Sequence, residues 1–67
     1  MSAAREAIER RRGERKRQLA VLLSGAVAGV ILDDWNRAKG CANSLPFVLQ
    51  GIIDDTITLE AMGEAES

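Results

Sequence analysis

The chain contains no histidine and no tyrosine, and only one cysteine, one proline, one tryptophan and one phenylalanine in 67 residues. Each shortage closes off a class of function. Without histidine, the lone thiol of Cys41 has no imidazole to activate it. It also has no second cysteine for an intrachain disulfide. A closed zinc site, which takes four nitrogen or sulfur ligands, cannot be assembled. Two aromatic rings give few platforms for stacking bases or sugars. There is no Ser–His arrangement and no glycine-rich phosphate loop. We therefore expect no enzyme and no cofactor; acid–base chemistry from aspartate alone is the one route left. A single free cysteine suits a reducing compartment, so a cytoplasmic location is expected.

Paired carboxylates occur twice, as Asp33-Asp34 and Asp54-Asp55. Adjacent residues on a helix diverge by about 100°, so neither pair chelates as a unit, and no Mg²⁺ or Ca²⁺ site is expected. On a helical wheel Asp54 points away from the packing arc of its helix and Asp55 sits at the margin of that arc.

Charge is unevenly spread. Residues 1–18 hold seven Lys/Arg against three Glu, whereas residues 19–67 hold two against seven Asp/Glu. This is a basic arm on an acidic body. Ser2 is a candidate N-cap for that arm. Ala3 to Ala7 favour helix, while Gly13 costs about 1 kcal/mol relative to Ala. After Met1, Ile8 is the one large apolar residue within it.

The most hydrophobic stretch is Leu19 to Leu32, fourteen residues without a charge. At 1.5 Å per residue it spans about 21 Å, short of the ~30 Å hydrocarbon thickness. Extending it takes in Asp33 and Asp34. A membrane span is therefore not its expected role. A secretion signal ending at Ala26-Val27-Ala28 is weakened by a long, Glu-containing leader and a seven-residue apolar segment. The stretch instead reads as a helix that is apolar all round and hence buried on more than one side. Leu19, Leu22, Leu23, Ala26, Val27 and Val30 form a bulky face. Ala20, Val21, Ser24, Gly25, Ala28, Ile31 and Leu32 form a second face rich in small residues, which permit close helix approach.

Taken in order, residues 1–18 read as a basic helical arm continuous with a core helix over 19–39. Gly40 serves as its C-cap, residues 40–44 as a loop, 45–62 as a second helix, and 63–67 as an acidic tail. Pro46 falls in the first turn of the second helix, where proline is tolerated. A break at Asp33 is the alternative. The expected fold is all-α: an antiparallel helical hairpin with a long first helix. Its first two dozen residues would overhang. A chain this short seldom reaches more than ~3–5 kcal/mol of net stability unaided, and with disulfides and metals excluded, oligomerisation is the remaining helper. The expectation is a homodimeric four-helix assembly whose interface is the small-residue face, Ala20 through Leu32.

The groups then available to a partner are Trp35 with Arg37, and the arm residues Arg10, Arg11, Arg12, Arg15, Lys16 and Arg17. Exposed Trp beside Arg is typical of binding hot spots. The leading reading is a small non-enzymatic regulator, adaptor or inhibitor that binds another protein, an acidic one where the arm makes the contact, as a helical homodimer. The alternative is a nucleic-acid-binding regulator gripping phosphates with the arginine arm. A membrane-associated protein comes third. Chains of this size are common in bacterial and phage genomes, which is a statement about length alone.

Overall fold

The computed structural model describes residues 2–66. Two helices account for nearly all of them: α1, Ala3–Ile31, and α2, Trp35–Glu66. They pack against each other as an antiparallel hairpin with Cα extents of 50 × 14 × 12 Å. Ser2 starts α1 as its N-cap, in an extended conformation, with its Oγ accepting from the Arg5 backbone N–H at 3.2 Å. This satisfies one of the donors that every helix N-terminus leaves open.

The turn lies at Leu32–Asp34 and not at residues 40–44, so the expected boundaries at 39 and 45 are corrected. Two aspartates make it. Asp33 adopts a left-handed conformation, φ 55°, which Asp tolerates better than most non-glycine residues. The Asp34 N–H then donates to Gly29 O at 2.7 Å and the Asp33 N–H to Val30 O at 3.3 Å. This bond pair is the Schellman arrangement that ends helices. Asp34 opens α2 at once, its Oδ1 accepting from the Arg37 N–H at 3.2 Å and its carbonyl from Ala38 N–H at 3.1 Å. Gly40, expected as a C-cap, is an ordinary helical residue. Pro46 lies well inside α2. Early turning removes the expected overhang, because α2 reaches back along the whole of α1.

One seven-residue pattern fixes the contact between the helices. On α1 it runs through Arg5, Ile8, Arg12 and Arg15, then Leu19, Leu22, Ala26 and Gly29. On α2 it runs through Ala38, Cys41, Leu45 and Val48, then Ile52, Asp55, Leu59 and Met62. All of these are buried or half-buried. Alternating spacings of three and four match the 3.5-residue repeat of a coiled-coil seam. Facing partners have residue numbers summing to about 67, as for Gly29 with Ala38. Leu23, Val27 and Val30, expected on the bulky packing face, are exposed. The seam is narrower than the wheel suggested and passes them by.

At Gly29 the backbone of α1 lies close against the start of α2. A Cβ there would lie 2.8 Å from Ala38 N and 2.9 Å from Asp34 O, both backbone atoms. Replacing Gly29 with Ala is expected to cost about 1–3 kcal/mol through forced backbone movement, measured by chemical denaturation. Pro46 tests the turn itself. In a helix interior it removes a hydrogen bond and clashes with the preceding turn, costing about 3 kcal/mol. Pro46→Ala should therefore raise the melting temperature substantially. A neutral effect would indicate that proline sits in a first turn, as the 40–44 loop required.

Candidate functional site

Two regions divide the hairpin. At the open end, the seam is crossed by arginines. Arg11 Nη2 donates to Asp55 Oδ1 at 2.6 Å and Arg11 Nε to Oδ2 at 3.3 Å. Arg15 Nη1 reaches Asp55 Oδ2 at 2.8 Å and Gly51 O at 3.1 Å. Gly51 admits this contact because a Cβ would lie 2.9 Å from the guanidinium carbon of Arg15. Arg12 Nη1 donates to Thr56 Oγ1 at 3.2 Å, and that hydroxyl donates to Ile52 O at 2.8 Å. Arg5 Nη2 donates to Leu59 O at 3.3 Å. The arginine stems roof over α2, which leaves Asp55 3% and Leu59 8% exposed.

The expectation that Asp55 sits at a margin is corrected: it occupies a seam position and faces α1. Asp54 is exposed and accepts from Gln50 Nε2 at 2.9 Å. Hydrogen bonding from Arg11, with the charges of Arg11 and Arg15, holds the Asp55 carboxyl below the usual carboxylate range, against burial that pushes it up. The same bond and the charge of Asp55 hold Arg11 above its usual value. Three of the six arm residues expected to meet a partner, Arg11, Arg12 and Arg15, are thus engaged with their own chain. Arg10, Lys16 and Arg17 are exposed.

At the turn end the order is inverted, with large apolar side chains outside. Val21, Ile31 and Leu32 of the α1 stretch are exposed, and so are Leu23, Val27 and Val30. On α2, Phe47 is 81% and Trp35 62% exposed. Arg37 is exposed two residues beyond Trp35. Open grooves of about 390 and 280 Å³ run along the outer face of α1, sharing Val27 and Ile31 as walls. Of the residues assigned to a dimer interface, Ala20, Val21, Ser24, Ile31 and Leu32 are exposed and Ala28 is half-buried. Gly25 departs from the set: it faces Cys41, whose Sγ would lie 2.7 Å from a Cβ there, so it belongs to the intrachain contact.

No family model, curated protein or solved structure matches this chain. Among the described residues, no group of three or more His, Cys, Asp or Glu is placed to hold a metal ion. Nor, among the described residues, is any helix long and apolar enough to cross a membrane. Asp33-Asp34 lie at the turn and Asp54-Asp55 toward the open end, opposite Arg11, so the two pairs sit at different heights along the hairpin.

Asp55 gives the hairpin a dependence on acid. Its carboxyl is depressed in the folded state, so its contribution is present above its unfolded value, about pH 3.9, and is lost as pH falls through the lower folded value. The melting temperature should drop as pH is taken from 5 toward 2. Asp55→Asn should lower it at neutral pH and flatten part of that acid slope, as followed by circular dichroism.

Proposed function

We propose that this chain is a small non-enzymatic protein-binding module, a regulator, adaptor or inhibitor, working as a homodimer in a four-helix assembly. The observation that carries the reading is the distribution of apolar side chains. Among the described residues, Leu59 is the buried apolar core residue, while eleven large hydrophobic residues are exposed. Soluble monomers rarely leave contiguous apolar surface uncovered, and such surface marks interaction sites. A second copy covers part of this surface and a target protein covers the rest. Trp35, beside Arg37 at the turn, and Phe47 on α2 are the candidate anchors for that target. The half-buried Cys41 suits a reducing, cytoplasmic setting.

The nucleic-acid alternative has less support. With Arg11, Arg12 and Arg15 bonded to α2, the outward basic residues of the arm are Arg10, Lys16 and Arg17, interspersed with Glu6, Glu9 and Glu14. Titration with duplex DNA across a salt series distinguishes the two. A phosphate binder weakens steeply as salt rises, whereas the proposed module shows no such binding at low salt. For the leading reading, affinity capture from the native cell with wild type and Trp35→Ala should recover a protein that the variant loses or binds more weakly. A variant that loses its own dimer as well assigns the indole to the homodimer. Sedimentation that finds wild type monomeric at every attainable concentration rules out the dimer.

A further inference from the structure

We infer that the second copy docks on one broad side of the hairpin, antiparallel, with α1 of one copy against α1 of the other in a single defined register. This rests on the homodimer reading above and specifies its interface.

Beside the seam used within the hairpin, α1 carries a second seven-residue pattern: Lys16, Ala20, Leu23, Val27 and Val30, continued past the helix end by Asp34. All six are exposed. Their spacings alternate between four and three, as a seam against another helix requires. The pattern is complementary to its own reverse. Antiparallel alignment sets Lys16 against Asp34 of the second copy, Ala20 against Val30, and Leu23 against Val27. Each contact occurs twice, as a two-fold interface demands. Charge meets opposite charge at both ends, and the small Ala20 meets the branched Val30. The grooves beside Val27 give a facing helix somewhere to seat its side chains.

The same side continues onto α2. In an antiparallel pair, flanking positions of one type share a side, so Ala42 and Leu49 fall level with Leu23 and Lys16, and Trp35, the candidate target anchor, lies at the turn-end edge of this side, beyond the Lys16–Asp34 contact. The opposite side, at these heights, presents Gln18, Leu32, Arg37 and Ser44, one large apolar residue among polar ones, while Gly25 and Gly51 are closed over by Cys41 and Arg15. Lys39 is the charge within the apolar side; its methylene stem lies along such a surface while the ammonium reaches water.

Area supports a second copy. A folded monomer of 7.2 kDa is expected to expose about 4,100 Å², whereas this chain exposes 4902 Å². The excess, about 800 Å², is the share that one partner contributes to a standard stable interface.

Sedimentation equilibrium and cysteine cross-linking test this. Wild type should be dimeric at micromolar concentration. Leu23→Glu should raise the dissociation constant at least roughly a hundredfold by burying an unpaired charge, while Phe47→Glu, on the other side, should leave it within a few-fold of wild type. Cross-linking covers the case in which Leu23→Glu unfolds the chain. With Cys41 changed to Ser, an equimolar mixture of Leu23→Cys and Val27→Cys proteins should oxidise to a covalent dimer much faster than either alone. A wild type that stays monomeric overturns both this inference and the homodimer reading. A dimer that tolerates Leu23→Glu, or a mixture that cross-links no faster than its components, overturns the face and register and leaves the homodimer reading intact.

Discussion

Two helices have no interior. Each can turn a single stripe toward the other, and the remaining circumference faces outward whatever residues it carries. That constraint governs this hairpin. The stripe on α1 repeats every three and four residues from Arg5 to Gly29, and its counterpart on α2 runs from Ala38 to Met62. Apolar residues beyond these positions have nowhere to go within one chain. The exposed Val21, Val27, Ile31 and Phe47 are a geometric consequence of two-helix architecture carrying a composition suited to a larger core.

Within that constraint the two ends are built differently. At the turn end, small residues bring backbones together: Gly29 lies against Ala38 and Gly25 against Cys41. At the open end, long arginine side chains bridge the helices, and Asp55 takes two of them. The better-sealed end is therefore the charged one. Arginine stems cover Leu59 and Asp55, whereas the glycine and alanine contacts leave neighbouring branched side chains in the open. Breaking a paired, enclosed charge is costly, which makes this cluster a constraint on register as much as a source of stability. It ties Asp55 to Arg11 and Arg15, and a slip of the helices by one turn would undo it. The turn end, by contrast, carries the surface available for assembly.

Most of the candidate site was legible as residue types but not as roles. The arginine run was visible in the sequence, and its net charge suggested an outward, partner-seeking surface. What could not be read was that Arg12 and Arg15 fall on the seam while Arg10, Lys16 and Arg17 do not. The available signal was the seven-residue register extended backward from Leu19 and Leu22, which lands on Arg15, Arg12, Ile8 and Arg5. Charged residues at those positions concealed it, because a hydrophobic pattern was the guide. Asp55 was misjudged for the same reason: its wheel position looked marginal until the facing arginines made burial of a carboxylate tolerable.

By itself the sequence determined that the chain is helical, that it folds back on itself, that Ser2 caps the first helix, and that neither an intrachain disulfide nor a closed four-ligand His/Cys zinc site can be assembled from it. These follow from local propensity, periodicity and residue inventory. The tertiary structure decided where the chain reverses. Gly40 to Ser44 has loop composition, yet the seam through Ala38, Cys41, Leu45 and Val48 holds it in helix. Asp33 and Asp34 make the turn because a left-handed aspartate and a capping aspartate can end one helix and start the next within three residues. The location of the turn then set the pairing of every later residue, and with it which arginines face inward and which apolar side chains remain outside. Local chemistry offered two places to reverse, and the side-chain packing along the whole length of both helices selected between them.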